Sequence, residues 1–476
     1  MTYNVVVIGA GPGGVVLACE LAKKGISVVI YEKGLYEDLG HDWSDAMELI
    51  AFRDAGFEMP VLDGLEWKGT LVKEHRNATG IFEKHAVPRL KICSPGLTSF
   101  KEVDFSMITT DRLRLGRLLV DQAVAAGAQI FYRHQGIKLT YKANGRRGPD
   151  GVEVNGVIVR DLESGIDATV QADLIVESSG FQSVLRKSLP VFTGLADPFQ
   201  DSDFALVHRE VRGYNQHSQE QGTADIPDHY RYGFHTGYQW THIHNRDSID
   251  VGAGVKNDPA NPDPKDLIEE FISRHPAITD QRIRGGRSLC IVGKPLLNFV
   301  SNGFIVIGDA ASTSVPTTGC GAGSAMLIGL WAADVAAEAA RENRNDIDKL
   351  WEINAKFYCD SDRGKSFAAL AALRVMLQQL SHHELDFLFS KNLMDAATLQ
   401  NAVNGIFKPP TLKKMLQSFC GGIANPTILL KLNKAISGAV RIYKHYQKYP
   451  RTWDADTFET WEKKANKLMG NLSSPT

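Results

Sequence analysis

The spacing of apolar positions changes twice along the first thirty residues. Residues 3–8 form a short, continuous apolar run, which predicts a buried parallel strand. Apolar residues then recur at helical spacing over residues 15–22, and residues 27–31 form a second apolar run. This order predicts a strand, a helix and a second parallel strand, the beginning of an α/β sheet.

A glycine-rich turn separates the first strand from the helix. Gly9 permits the tight turn, Gly11 lets the backbone approach a pyrophosphate, and Gly14 allows close packing of helix and strand. The helix N-terminus then presents free N–H groups to the phosphates. Glu32 ends the second strand, where a carboxylate suits two ribose hydroxyls and disfavours a 2′-phosphate, so FAD or NAD fits better than NADP.

Two later motifs follow further apolar runs. The run at residues 173–177 leads into Gly180, with Ser183 and Arg186 behind it, and the run at 304–307 leads into Gly308 and Asp309. Pro316 and a glycine-rich stretch follow the third motif. The predicted cofactor-binding residues are Gly9, Gly11, Gly14, Glu32, Lys33, Arg112, Gly180, Gly308, Asp309, Pro316, Gly319, Gly321, Ala322 and Gly323.

In the order of these motifs the chain resembles the flavoprotein superfamily of para-hydroxybenzoate hydroxylase, geranylgeranyl reductases and flavin-dependent halogenases. The resemblance implies FAD as the cofactor, with Asp309 on its ribitol and residues 316–323 along its isoalloxazine ring. It also implies that Arg112 opens a helix near the cofactor, although a surface arginine at a helix start is the alternative. A helix over residues 324–340 would add its N-terminal dipole.

The middle of the chain predicts an antiparallel sheet. Residues 230–244 and 249–255 form a hairpin around a turn at 245–248. Because side chains alternate along a strand, Tyr238, Trp240, His242 and His244 share one face. We expect this face to line a substrate pocket above the flavin; the alternative is a core face with histidines at its rim.

The same hairpin bears on the reaction. Tyr238 and Trp240 match two positions of the geranylgeranyl reductase signature PxxYxWxFP, whose prolines and phenylalanine are replaced here. Only Trp240 matches the halogenase pattern WxWxIP, for which Lys68 and Lys73 are candidate lysines. The resemblance therefore implies hydride transfer from N5 of reduced FAD to a carbon–carbon double bond of an apolar, isoprenoid-like substrate. The alternatives are an oxygen-dependent monooxygenase or halogenase acting on an aromatic substrate through a C4a-hydroperoxide, and a non-catalytic binding or escort protein.

A polar cluster near residue 41 supplies a further candidate. His41 or Asp42 could donate or accept a proton beside the flavin, and the imidazole of His41 titrates near neutrality. The alternative is that Asp42 or Ser44 caps a helix over residues 45–51. The predicted catalytic and pocket residues are His41, Tyr238, Trp240 and His242.

The predicted fold class is α/β, with a Rossmann-like FAD-binding domain, an inserted antiparallel-sheet substrate domain and a helical C-terminal region. The FAD-binding domain is discontinuous, over residues 1–60, 105–190 and 285–340. The substrate domain takes residues 61–104 and 191–284, and the helical domain takes 341–476. A chain of 476 residues suits two or three such units.

Composition and charge limit the classes of binding partner that the sequence suggests. With 53 basic and 55 acidic residues the net charge is −2, which gives no indication of nucleic-acid binding. Six cysteines without CxxC spacing predict neither a metal site nor a local redox disulfide. A second dinucleotide motif is not evident, so the sequence does not select among NAD(P)H, ferredoxin, a quinone and a flavoprotein as the electron donor. The sequence does not indicate the oligomeric state either. We expect a cytoplasmic protein; the basic, amphipathic segment 424–451 predicts either a packing helix or contact with a membrane surface.

Overall fold

A computed structural model describes residues 2–48, 89–104, 107–143, 151–215, 229–245, 247–411 and 425–473. Among these residues, no helix combines the length and apolar character needed to cross a bilayer. The strands are β1 (Thr2–Ile8), β2 (Val28–Tyr31), β3 (Ser44–Glu48), β4 (Arg89–Cys93), β5 (Phe100–Asp104), β6 (Met107–Asp111), β7 (Gln129–Phe131), β8 (His134–Ala143), β9 (Val152–Asp161), β10 (Asp167–Glu177), β11 (Phe204–Tyr214), β12 (His229–Tyr232), β13 (Tyr238–Asn245), β14 (Ser248–Lys256), β15 (Ile278–Ile291), β16 (Val300–Ser301) and β17 (Phe304–Val306).

Helices α1 to α4 lie between strands along the chain, and helices α5 to α12 follow the last strand. The long helix after the third motif, predicted over 324–340, is α5 in this series. The helices are α1 (Pro12–Lys23), α2 (Arg112–Ala125), α3 (Val184–Lys187), α4 (Pro264–Ser273), α5 (Ala322–Glu342), α6 (Ile347–Leu350), α7 (Glu352–Ala355), α8 (Arg363–Leu377), α9 (His382–Ser390), α10 (Ala396–Val403), α11 (Pro426–Tyr446) and α12 (Ala455–Ser473).

An eight-stranded sheet carries the dinucleotide-binding motifs. Its order is β16-β17-β10-β1-β2-β7, with β9 and β8 added antiparallel beside β10. Strands β17, β10, β1, β2 and β7 run parallel. Their apolar residues belong to one large core that includes α1 and α5, which is why these strands appear in the sequence as continuous apolar runs. The Rossmann-like architecture with a helical C-terminal region is confirmed.

A seven-stranded sheet lies beside it, in the order β15-β11-β14-β13-β12-β4-β5. One face of β14 packs against α4 through Val251, Ala253 and Val255, and residues of the other face border a cavity. The predicted turn at 245–248 does join two antiparallel strands, β13 and β14. The predicted long strand over residues 230–244 is wrong, because Gly233 has a φ of 76° and starts a turn that splits it into antiparallel β12 and β13.

A second correction concerns residues 44–48. The predicted helix over 45–51 is not formed there: residues Ser44–Glu48 are strand β3, which pairs antiparallel with β6 over Met107–Asp111. Polar residues that suit a helix start also suit a two-stranded ribbon. The secondary structure of residues 44–48 was therefore set by pairing with a strand sixty residues away and not by local propensity. The division of the chain into three domains stays a prediction.

Candidate active site

The sequence motifs converge because they follow the carboxyl ends of neighbouring parallel strands. The glycine turn follows β1, Glu32 follows β2, Gly180 follows β10 and Asp309 follows β17. In open α/β sheets ligands bind at this edge, outside the carboxyl ends of the strands. Residues almost three hundred positions apart are thereby brought to one site.

The glycine turn is packed too closely for side chains. Gly9 has a φ of 92°, and a Cβ on Gly11 would lie 2.9 Å from the Ser178 carbonyl oxygen. Gly14 donates its N–H to Ser178 Oγ at 3.1 Å, and a Cβ there would meet that oxygen at 2.6 Å. Gly9 and Gly14 therefore hold the turn against β10, whereas Gly11 borders the cavity that the turn encloses.

Glu32 fixes the shape of the same turn. Its Oε2 accepts the Ala10 N–H at 2.7 Å and its Oε1 accepts the Gly34 N–H at 2.7 Å. Each carboxylate oxygen has a second lone pair, so these bonds leave acceptor capacity for ribose hydroxyls. The predicted residue is in place and has a second, structural role that its position in the sequence did not reveal.

The third motif forms the opposite wall. Gly308, with a φ of 66°, begins a 3₁₀ turn that carries Asp309, and Asp309 Oδ1 accepts the Ser314 hydroxyl at 3.0 Å. Helix α5 begins after Gly321, a residue with no side chain to occupy the first-turn N–H groups. Gly308, Asp309, Pro316, Gly319, Gly321 and Ala322 border the cavity; Gly323, one residue deeper in the helix, does not.

The seven-stranded sheet supplies the floor of the cavity. Tyr238, Trp240 and His242 of β13 all face it, as their period of two predicted, whereas Gln239 and Thr241 point to the opposite, buried face. Their centroids are close: the Tyr238 and Trp240 rings are 5.4 Å apart. The Tyr238 hydroxyl donates to the Thr318 carbonyl, which ties this floor to the loop before α5. The side chain of His244 lies outside the described residues.

A buried ion pair that the sequence analysis missed lies in this floor. Arg209 of β11 pairs with Asp250 of β14, and Asp250 is only 2% exposed. The Arg209 guanidinium also lies 5.5 Å from the centre of the Trp240 ring. The strand alternation of β14 could have indicated this face, since Asp250, Gly252 and Gly254 recur every second residue.

Glycines on β14 make room for the aromatic row. A Cβ on Gly252 would lie 2.5 Å from Trp240 Cη2 and closer still to two other indole atoms. The indole therefore lies flat on a strand that has no side chain at that position. Trp240 is 7% exposed as a result, and Tyr230 stacks beside it with a centroid separation of 6.5 Å.

The C-terminal helices close the far end of the cavity. Helix α8 contributes Arg374 and Leu377, and Leu380 and Leu385 follow from the next turn and from α9. Sequence reasoning placed no pocket residues after residue 340, because amphipathic helices without a motif do not show which cavity they face. The C-terminal region is thus part of the candidate active site.

The remaining predicted residues lie at the rim. His41 is exposed and stacks on Trp43 with ring centres 4.4 Å apart, and both border the cavity. Arg112 opens α2, as expected, and its backbone N–H donates to the Trp43 carbonyl at 3.0 Å. Lys33 also borders the cavity. Lys68 and Lys73 lie outside the described residues. Within the described ranges no cluster of His, Cys, Asp and Glu has the form of a metal site.

One cavity of about 640 Å³ joins all these walls. The residues present fit FAD: Gly11 borders the space with its backbone alone, Glu32 and Asp309 both border it, and the α5 N-terminus reaches the same space through Gly321 and Ala322. Aromatic and leucine side chains, together with the charged Arg209, Asp250 and Arg374, line the part that the cofactor motifs do not. Fold and site together define an FAD-dependent oxidoreductase.

Comparison with known proteins agrees with this class. Residues 7–46 match the family model of the NAD(P)-binding Rossmann-like domain. The digeranylgeranylglycerophospholipid reductase of Sulfolobus acidocaldarius is 22% identical over 98% of this chain and 98% of its own length. The enzyme of the same name from Methanothrix thermoacetophila is 25% identical over 81% of this chain and 90% of its own length.

Solved structures share the fold. A geranylgeranyl bacteriochlorophyll reductase-like protein from Thermoplasma acidophilum is 18% identical, with a TM-score of 0.66, over 91% of this chain and 99% of its own. A flavin-dependent brominase is 16% identical, with a TM-score of 0.60, over 93% and 100%. The comparisons confirm the resemblance to the FAD-dependent superfamily that contains geranylgeranyl reductases and flavin-dependent halogenases.

Proposed function

We propose that this protein uses FAD to reduce a carbon–carbon double bond of an isoprenoid-like substrate. The observation that carries the proposal is the continuity of the cavity, which runs from the residues that would hold FAD to a wall of aromatic and leucine side chains. The relatives named as digeranylgeranylglycerophospholipid reductases support the same chemistry. An apolar chain in this space would have its double bond beside the predicted flavin loop.

Four parts of the chain would hold the cofactor. Gly11 and the α1 N-terminus would receive the pyrophosphate, Glu32 the ribose, Asp309 the ribitol, and residues 319–322 the isoalloxazine ring. When bound and reduced, FAD would supply a hydride, that is two electrons and one proton, to one carbon of the double bond. The protein's own part is to position the substrate, exclude water and deliver the second proton.

The floor of the cavity suits the positioning role. Trp240, held flat on Gly252 and 7% exposed, and the neighbouring Tyr230 give an apolar surface for the chain. The Tyr238 hydroxyl is committed to the Thr318 carbonyl, so Tyr238 orients the flavin loop. These contacts would keep the reacting carbons in a water-poor space, which strengthens the electrostatic interactions within it.

His242 is the proton donor that we propose. It follows Trp240 on the cavity side of β13 and faces Asp250 across the strand pair. A protonated imidazole nitrogen beside a carboxylate can give its proton to the carbon next to the one that receives the hydrogen. His41 at the exposed rim is the second candidate, since it could pass protons from solvent.

Oxygen-dependent chemistry on an aromatic substrate is the second candidate function. The specific observation in its favour is the brominase-like fold, together with Gly180, Phe181 and Gln182 at the cavity wall, a stretch that resembles the halogenases. The residues that would hold FAD serve both reactions equally. Only the response to oxygen and substrate separates them.

Membrane contact through residues 424–451 stays a separate proposal. Most of the apolar side of α11 is buried in the protein, which supports the packing interpretation, and Lys431 forms an ion pair with Glu384 at 2.6 Å. Leu430 is 70% exposed on the outer side. The buried apolar residues of this helix include Ile428, Leu432, Ala435, Ala439 and Ile442.

An anaerobic single-turnover experiment tests the proposed function. The FAD-loaded protein is photoreduced without oxygen and mixed with geranylgeranyl phosphate, and flavin absorbance and product mass are followed. We expect the oxidised flavin spectrum to return and the product to gain two hydrogen atoms. Free photoreduced FAD with the same substrate is the control. A flavin that stays reduced until oxygen is admitted, with unchanged substrate mass, would contradict the proposal and favour the oxygen-dependent alternative.

A further inference from the structure

The short turn between β12 and β13 has an unfavourable backbone conformation. His235 has a φ of 45° and a ψ of 50°, and Thr236 has a φ of 66°. Both residues are left-handed, a conformation that is unfavourable for residues other than glycine because the Cβ approaches the following carbonyl oxygen. Such strained residues persist only where the surrounding structure holds them, and they cluster at functional sites.

Hydrogen bonds from three other elements hold this turn. The His235 N–H donates at 3.1 Å to Nε2 of His382, the first residue of α9. The Thr236 carbonyl accepts the Nε2–H of Gln378, which ends α8, at 2.7 Å. The N–H of Lys256, at the end of β14, donates to the Thr236 hydroxyl oxygen at 3.4 Å. The turn therefore joins the C-terminal helices to the seven-stranded sheet.

The same turn forms part of the cavity wall. Gly233 and Thr236 border the cavity, as do Gln378 and Leu385 from the C-terminal helices. A Cβ on Gly233 would overlap the Leu385 Cδ1 atom, so the turn packs directly against α9. The position of this wall is therefore set by the backbone conformation of His235 and Thr236.

The residue type at position 235 permits this conformation. When the tyrosine of the reductase signature PxxYxWxFP is aligned with Tyr238, its first proline falls at residue 235. A proline ring fixes φ at about −65° and leaves no N–H, so it excludes both the left-handed conformation and the hydrogen bond to His382. This chain therefore holds the turn in a way that a proline at that position does not allow.

We propose that residues 233–237 are a specificity-determining wall of the cavity, and that His235 and its contact with His382 limit the length of the apolar chain that the cavity accepts. The cavity runs from the predicted flavin site to this wall. Because hydrogen bonds from two helices hold the turn, a chain that reaches it meets a fixed obstacle. That the chain is an isoprenoid rests on the proposed function, whereas the length limit rests on the turn.

A series of isoprenoid alcohols of increasing length tests the wall. Calorimetric titration of the FAD-loaded protein with geraniol, farnesol, geranylgeraniol and geranylfarnesol, each one isoprene unit longer than the one before, gives the dissociation constants. In the wild type we expect the affinity to rise with each unit, because more apolar surface is buried, until the chain reaches the turn. The next unit should then weaken binding about tenfold or more, as an overlap in a packed site does.

Two substitutions at one position form a matched pair. His235→Pro cannot adopt the turn and lacks the N–H, so the loss of affinity at the limiting length should fall to about threefold or less. His235→Gly adopts a positive φ without strain and keeps the N–H, so it should keep the length limit. Both variants lose the imidazole ring, whose centre lies 4.4 Å from that of Phe234 and 5.4 Å from that of His382. A difference between them therefore reports the backbone.

Three results would overturn the inference. The first is an affinity that rises through the whole series in the wild type. The second is a length limit in His235→Pro that equals that of the wild type, and the third is an equal loss of affinity at every length, which indicates a structural role only. If His235→Pro does not fold or does not retain FAD, His382→Ala replaces it under the same criteria, with the exposed neighbour His383→Ala as its control.

A second series of ligands separates this inference from the proposed function. If none of the isoprenoid alcohols binds the wild type, the proposed function fails, and the titrations are repeated with straight-chain primary alcohols of increasing length. A length limit that is present in the wild type and in His235→Gly and is removed in His235→Pro supports the wall. A limit that is equal in all three proteins, or the absence of binding by every straight-chain alcohol, refutes it.

Discussion

Adding one methyl group at Gly252 should displace Trp240 from the floor of the cavity. The Cβ of Gly252→Ala would lie 2.5 Å from Trp240 Cη2, whereas carbon atoms in contact are separated by about 3.5 Å. The indole must therefore retreat by about 1 Å, and the two nearer ring atoms must move farther. Because the strand lies behind it, the ring can move only toward the cavity or toward Tyr230, with which it stacks.

The expected cost is that of overpacking a buried site, about 1–3 kcal/mol. Gly254→Ala is the matched control, since it adds the same methyl group to the same face of β14. Its Cβ would lie 3.4 Å from Val207 Cγ2, an ordinary contact. We expect this variant to lose less than about 1 kcal/mol, within the range of well-tolerated substitutions.

Urea denaturation of both FAD-loaded variants measures the free energy of unfolding, and titration with geranylgeranyl phosphate measures the affinity for the chain. Gly252→Ala should be less stable than Gly254→Ala and should bind the isoprenoid more weakly, with FAD content unchanged in both. Equal stability and equal affinity in the two variants would refute the placement of the indole on Gly252.

Three further outcomes are expected. In Glu32→Gln, one of the two carboxylate oxygens that accept backbone N–H groups is replaced by a donor. The dissociation constant for FAD, measured by flavin fluorescence quenching, should therefore rise about tenfold or more. An unchanged constant would contradict the role of Glu32 in shaping the turn. His242→Gln should slow product formation at least about a hundredfold without changing FAD affinity, and a rate within threefold of the wild type would exclude His242 as the proton donor. Burial lowers the pKa of His445, whose Nε2 donates to the Trp461 carbonyl at 2.9 Å, so the unfolded state binds a proton first as the pH falls below about 6.5. The stability that this shift contributes is present above that pH and is lost as the pH falls through the lower, folded-state pKa. Denaturation curves of His445→Gln should therefore show a smaller loss of unfolding free energy on acidification than those of the wild type. Identical losses in the two proteins would argue against this role of His445.

Local sequence was a reliable guide where a short segment has one physical solution. The glycine turn needs a positive φ at Gly9 and room for Ser178 at Gly11 and Gly14, and few residues other than glycine satisfy those demands. Strand alternation in β13 likewise placed Tyr238, Trp240 and His242 on one face. The predicted roles of these residues remain to be tested.

Prediction failed where the deciding partner was distant in the sequence. Residues 44–48 have a local pattern that suits a helix start, and their pairing with β6 makes them a strand. The turn at Gly233 that separates β12 from β13 also escaped notice, because aromatic residues continue on both sides of it.

The sequence by itself determined the class of cofactor site, since each motif is a contiguous segment whose backbone geometry depends on its own glycines and acids. It also determined which side chains of β13 share a face. Only the tertiary structure decided that the helices after residue 340 close the same cavity and that Asp250 neutralises Arg209. These facts depend on contacts between segments as much as 170 residues apart, such as Arg374 with Ser202, and a pattern confined to one segment does not record which other segment packs against it.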